Sequence, residues 1–152
     1  MNLREFSDIL KQRVEAMNAN RERDALIIAS DLKALVQLRI QTTGTAYTGS
    51  QFSPYSEGYK KKRAKGGLQT GIVDYTVTGQ LWRNIRAEVT GSAANSVTVE
   101  ITARDELNQA KLRGATVQPK SRPRGNPLIP NEEEIKIVQE ANKNRVIKYL
   151  TA

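Results

Sequence analysis

Residues 85–103 read IRAEVTGSAANSVTVEITA, and the alternation within this stretch decides the fold class. Apolar residues stand at every second position of its two halves, separated by polar ones, as in half-buried strands. They are Ile85, Ala87 and Val89 in the first half and Val97, Val99, Ile101 and Ala103 in the second. Residues 91–96 are small or polar, which is typical of a turn. The stretch therefore predicts an antiparallel β-hairpin.

Helical periodicity flanks this hairpin in the sequence. Two apolar stripes with three- and four-residue spacing occupy residues 1–43, separated by a break at residues 18–20. They are Leu3, Phe6, Ile9, Leu10, Val14 and Met17, then Ala25, Ile28, Ala29, Leu32, Leu35, Val36 and Ile40. Asn131, followed three residues later by Glu134, forms a capping-box-like start for a last helix over 131–150. We predict an α+β fold in which two N-terminal helices and a C-terminal helix pack on a small antiparallel sheet.

The remaining sequence predicts long irregular segments within a single domain of residues 1–152. Residues 44–77 contain six glycines and no period, and we interpret them as a long basic loop. Residues 78–104 predict a short helix followed by the hairpin, and residues 105–130 predict a proline-rich strap. A structureless loop of more than about 20 residues is unusual in a compact domain and is generally functional or disordered. The loop 44–77 is therefore a candidate docking arm.

The positive charge is concentrated in the middle of the chain. The net charge is +8, yet residues 1–43 and 131–152 are nearly neutral. One basic cluster comprises Lys60, Lys61, Lys62, Arg63 and Lys65, and a second comprises Lys120, Arg122 and Arg124. Three interpretations are open for the first cluster: contact with nucleic-acid phosphates without a sequence motif, contact with an acidic protein partner, or a solvated loop. The second cluster could likewise contact phosphates or a protein, and a stiff strap leading into the last helix explains its proline as well. Three aromatic residues are candidate anchors for the predicted loops: Tyr55, Tyr59 and Trp82.

The absence of two residue types bears on catalysis. The chain has neither histidine nor cysteine, which excludes Ser-His-Asp and Cys-His nucleophile pairs and ordinary zinc sites. We therefore predict that the protein is not an enzyme, and no catalytic, cofactor-binding or metal-binding residue is assigned. A small hydrolase using lysine or carboxylate chemistry is the alternative. No apolar run approaches the roughly 20 residues that span a bilayer, so a soluble protein made in the cytoplasm is expected.

The order of short motifs carries a resemblance to a known family. The motifs are Arg39-Ile40, Gly44, Gly49, Phe52-Ser53-Pro54-Tyr55-Ser56, Tyr59, Arg63, Gly66, Val73-Asp74, Thr78-Gly79 and Leu81. In this order they resemble the tailed-phage virion morphogenesis proteins, which comprise neck, head–tail joining and tail-completion subunits. The likeness covers roughly residues 39–150, and the N-terminal helices agree in type.

The resemblance implies a structural role in a virion. It implies a homo-oligomeric ring around the DNA channel at the head–tail junction, with portal, adaptor or tail proteins as neighbours and no membrane partner. The long loops would then reach onto the next protomer, and a basic loop facing the channel is expected to meet packaged DNA nonspecifically. A free-standing basic nucleic-acid-binding protein is the alternative.

Overall fold

The computed structural model describes residues 3–116 and 127–151. Within these residues there are six helices and two strands. The helices are α1 (Leu3–Ala19), α2 (Arg21–Thr43), α3 (Glu57–Lys65), α4 (Gln80–Asn84), α5 (Glu106–Thr116) and α6 (Glu132–Thr151), and the strands are β1 (Ile85–Ala93) and β2 (Ser96–Ala103). The predicted α+β class, with helices on one antiparallel hairpin, is confirmed.

The hairpin has the register that the apolar alternation requires. Ile85 lies opposite Ala103, and Val89 lies opposite Val99. An irregularity between Val89 and Gly91 shifts the register near the tip. The strands are longer than the sequence pattern indicated, because they extend through residues 91–93 and leave only residues 94–95 as the turn.

The core lies where the second half of α2 meets β1 and the segment that joins them. Its buried side chains come from α2, from the joining segment and from the start of the hairpin: Val36, Ile40, Phe52, Tyr55, Val73, Trp82 and Ile85. α2 ends at Gly44, whose φ of 65° is left-handed and whose N–H donates to the Ile40 carbonyl. A Cβ at this position would lie 2.8 Å from the Ile72 Cβ, so both the backbone and the packing require glycine.

Two segments predicted to be irregular contain helices. The loop prediction for 44–77 is wrong over α3, and the strap prediction for 105–130 is wrong over α5. Local signals start both helices: the Ser56 hydroxyl accepts from the Tyr59 N–H, and the Asp105 carboxylate accepts from the Asn108 N–H. These interactions satisfy amide donors that the first helical turn leaves free.

The C-terminal helix is fixed at its start by a reciprocal cap. The Asn131 N–H donates to the Glu134 carboxylate, and the Glu134 N–H donates to the Asn131 side chain, both at 2.8 Å. The capping box predicted from the sequence is confirmed. Glu134 also pairs with Arg39 at 2.7 Å, so the cap ties α6 to α2.

α1 is the least embedded helix. It packs against α6 and α2, and the Arg13 guanidinium donates to the Leu150 carbonyl, yet none of its residues is buried. Among the described helices, none combines the length and the apolar character needed to cross a membrane.

Candidate functional site

A buried arginine holds together the segment that joins α2 to α4. Arg63, only 2% exposed, projects inward from α3. It donates to the Gln69 carbonyl at 2.8 Å, to the Thr76 carbonyl at 2.7 Å and to the Asp74 carboxylate at 3.0 Å. Its guanidinium also lies 4.5 Å from the centre of the Tyr55 ring. All three guanidinium nitrogens are thus bound inside the protein.

Asp74 is the counterpart of that arginine. Besides the Arg63 guanidinium, its carboxylate accepts from the Tyr55 hydroxyl at 3.0 Å and from the Thr76 N–H at 2.9 Å. Its backbone carbonyl accepts from the Trp82 indole at 3.2 Å. A buried charge is tolerated only when it is paired and hydrogen-bonded, and both conditions are met here. We call Arg63, Asp74, Tyr55 and Trp82 the clamp.

Burial and charge perturb the acidity of one clamp residue. Burial, followed by the nearby Asp74 carboxylate, raises the pKa of Tyr55 to about 12. Both effects disfavour a phenolate, because it would be poorly solvated and would lie beside another negative charge. Tyr55 therefore remains a hydrogen-bond donor throughout the neutral range.

The clamp brings the three aromatic residues predicted as loop anchors into one region. Tyr55 and Trp82 are buried, and Tyr59 is half-buried with its ring centre 5.1 Å from that of Tyr55 in an edge-on arrangement. Sequence reasoning assigned no role to Asp74. Its place within a short apolar run, Ile72-Val73-Asp74-Tyr75, is the signal that could have suggested a buried carboxylate.

The first basic cluster divides between the inside and the outside of α3. Lys61, Lys62 and Lys65 are exposed, whereas Lys60 is half-buried and pairs with Glu57 at 2.8 Å. The prediction that Arg63 faces DNA or a neighbouring subunit is wrong for this residue, because it is buried in the clamp. The second cluster, Lys120, Arg122 and Arg124, lies outside the described residues.

An apolar stripe on α1 forms a second conspicuous surface. Leu3 is 88% exposed, Phe6 46% and Val14 43%, and Ile9 and Leu10 are also exposed. Phe6, Leu10 and Val14 line a shallow groove of about 420 Å³. Their spacing of four residues places them along one side of the helix. We call Leu3, Phe6, Leu10 and Val14 the α1 stripe.

A groove of about 260 Å³ lies beside the clamp, lined by Tyr59, Arg63 and residues 75–81. Its two cationic members are Arg63, which Asp74 neutralises, and Lys111, whose ammonium donates to the Asn108 side-chain oxygen at 3.2 Å. In residues 3–116 and 127–151, no three acidic side chains are grouped so as to hold a metal ion.

No protein-family model, curated protein or solved structure matches the chain.

Proposed function

We propose that the protein is a structural subunit of a tailed-phage virion. In this proposal, copies of the chain form a ring around the DNA channel in the neck, the head–tail connector or the tail-completion region. The observation that carries the proposal is the α1 stripe, an apolar surface on a helix that has no buried residue. Burying apolar surface stabilises an association by roughly 25 cal/mol per Å². We therefore expect the α1 stripe to lie in an interface between subunits.

The motif that resembles the phage family also supports a structural role. Five of its positions fall in or next to the clamp: Tyr55, Tyr59, Arg63, Val73 and Asp74. In this fold they hold the segment 44–79 against α2 and leave no free reactive group. A motif whose side chains make internal hydrogen bonds is consistent with a structural protein that contacts its partners through other surfaces.

A second copy of the chain offers a matching surface for the α1 stripe. The outward side of α6 carries Ile137 and Ile147, both exposed, together with Glu133 and Glu140. These residues recur at spacings of three, four and seven, so they share one side of the helix. The edge of the α1 stripe carries Lys11 and Glu15, and of these Lys11 has the charge opposite to that of the α6 glutamates.

Contact between α1 of one copy and α6 of the next would be heterologous. Heterologous contacts generate rings when the rotation between subunits closes. Portal, adaptor or tail proteins would then meet the assembled ring.

The assembly test uses a charge placed within the stripe. Leu10→Glu is expected to shift the oligomer to monomer, as measured by size-exclusion chromatography with light scattering, because a carboxylate would be buried unpaired. Ile137→Glu should have the same effect from the other side. Leu38→Glu is the matched control, since Leu38 is exposed on α2 and belongs to neither surface. Unchanged assembly in both Leu10→Glu and Ile137→Glu would contradict this interface.

The place in the virion is tested in particles that lack the gene. Tail-less filled heads or headless tails, seen by electron microscopy, are the expected result for a subunit of the joint. Intact infectious particles would exclude the neck assignment.

The second candidate function is a free-standing nucleic-acid-binding protein. The exposed Lys61, Lys62 and Lys65 favour it. It requires strong, salt-steep binding by an isolated monomer, together with normal virion assembly in the absence of the protein. Monomers that show no DNA binding at low salt would exclude it.

A further inference from the structure

The outward side of α3 is built differently from the α1 stripe. Its inward side is anchored by Tyr59 and Arg63, which fixes the orientation of this helix of nine residues. Lys61, Lys62 and Lys65 are consequently held in solvent on the opposite side. Lys61 and Lys65 are one helical turn apart, so their side chains are neighbours about 5–6 Å apart at Cβ.

The composition of this surface decides between a protein and a nucleic-acid partner. The other outward positions of α3 are Glu57, Gly58 and Ala64, so no large apolar side chain is present. Protein interfaces have an apolar centre and are depleted in lysine. Duplex DNA instead presents one negative charge per roughly 1.7 Å of its axis, for which closely spaced lysines are suited.

We propose that the α3 lysines form a sequence-independent binding surface for the phosphates of duplex DNA. This inference rests on the proposed function in one respect: the DNA would be bound in the channel of the ring. Arg63 takes no part, because the clamp neutralises its guanidinium. Lys60 contributes less than the others because Glu57 already pairs with it.

Sequence preference is not expected from this surface. Bidentate readout of adenine uses asparagine or glutamine, and neither projects from the outward side of α3. Lysine also reads guanine in the major groove, so equal binding of unrelated duplexes is the observation that distinguishes phosphate contact from base readout. Lysine ammonium groups on phosphates position a protein without carrying sequence information.

The test measures how the DNA affinity of the full chain depends on salt. With a fluorescent mixed-sequence duplex, three phosphate contacts predict a slope of about −2.7 in log K against log salt, or about 40-fold weaker binding from 50 to 200 mM. The double variant Lys61→Ala/Lys65→Ala should reduce the steepness of the slope by about 1.8. A second duplex of unrelated sequence should bind equally well.

The matched control removes two positive charges from another helix. Lys136→Ala/Lys143→Ala takes two exposed lysines from α6 and should leave the slope unchanged. Circular dichroism and the melting temperature should be unaltered in both double variants, since alanine favours the helix at exposed positions. Equal losses in the two double variants, or no binding by the wild type at 50 mM salt, would overturn the proposal.

Light scattering on the same samples measures assembly, so failure of the DNA-binding proposal can be distinguished from failure of the ring proposal. A chain that assembles but does not bind DNA overturns the phosphate surface alone. A chain that binds DNA through α3 but never assembles supports the phosphate surface and counts against the ring.

Discussion

At the scale of single residues, Arg63 and Asp74 determine whether the segment 44–79 is ordered. Breaking a buried pair leaves an uncompensated charge, which typically costs about 3–5 kcal/mol. We therefore expect Asp74→Asn to lower the free energy of unfolding by about that amount in urea denaturation. Glu57→Gln is the control, because its exposed pair with Lys60 is worth only about 0.2–1 kcal/mol. Equal effects of the two changes would show that the clamp does not stabilise the fold.

The Tyr55 hydroxyl makes stability depend on pH in the alkaline range. Its pKa is about 12 in the folded chain, against an ordinary value of 10.0. Below pH 10 the Tyr55 hydroxyl is protonated in both the folded and the unfolded chain, so its full contribution to the free energy of unfolding is present. Between pH 10 and 12 the unfolded chain loses the proton first, so this contribution falls by up to about 1.4 kcal/mol per pH unit.

The variant Tyr55→Phe isolates this effect. It should be less stable than the wild type at pH 7 by about 1.5–3 kcal/mol, because a hydrogen bond to a carboxylate is lost. The difference should shrink as the pH rises from 10 to 12. Tyr47→Phe, at a 49% exposed tyrosine, is the control and should leave the stability at pH 7 close to that of the wild type. A constant difference between Tyr55→Phe and wild type would contradict the raised pKa.

The clamp also shows where residue-level prediction stops. Tyr55 and Trp82 were identifiable as anchors because large aromatic side chains in a polar segment need somewhere to pack. Asp74 was not identifiable as their partner, since the burial of a charge depends on a counter-charge eleven residues away that folding brings to 3.0 Å. Arg63 was read as a surface cation for the same reason.

At the scale of elements, periodicity predicted the ones whose buried side is apolar. The hairpin, α2 and α6 were predicted in this way, and the structure contains all three, with the strands of the hairpin extending further toward its tip than predicted. α3 was not predicted because its inward side consists of a tyrosine and an arginine. A search for apolar residues at helical spacing does not detect such a side. Its local signals were present nonetheless: Ser56 at the N-cap, Glu57 in the first turn and Gly66 at the end.

A glycine within α3 tests whether residues 57–65 are helical in solution. Nothing lies within 4 Å of a Cβ built on Gly58. Gly58→Ala should therefore raise the free energy of unfolding by roughly 0.5–1 kcal/mol, because alanine loses less backbone entropy in a helix. Gly44→Ala should instead destabilise the fold, through its left-handed φ and the Ile72 contact. A loop at 57–65 would give little or no gain for Gly58→Ala in thermal denaturation.

At the scale of the whole molecule, the chain presents two surfaces of opposite chemistry. The α1 stripe is apolar and suits contact between copies, whereas the outward side of α3 is cationic and suits a polyanion. The clamp holds α3 against the core to which α2 contributes. The two surfaces can therefore be removed independently, one by Leu10→Glu and the other by the Lys61→Ala/Lys65→Ala pair.

The exposure of α1 leads to a final prediction about hydrogen exchange. A helix without buried residues opens locally at low cost, whereas α2 contributes Val36 and Ile40 to the core. In the dilute monomer, amides of α1 should exchange more than about tenfold faster than those in the second half of α2, equivalent to about 1.4 kcal/mol.

Assembly should remove most of that difference, because a neighbouring copy would cover the α1 stripe and tie opening of the helix to dissociation. Mass-spectrometric exchange at increasing protein concentration would follow the change, with Leu10→Glu as the form that stays monomeric. If α1 is as protected in the monomer as in the oligomer, its stripe is not the interface. Protection that rises in the wild type but not in Leu10→Glu would link the ordering of α1 directly to contact between copies.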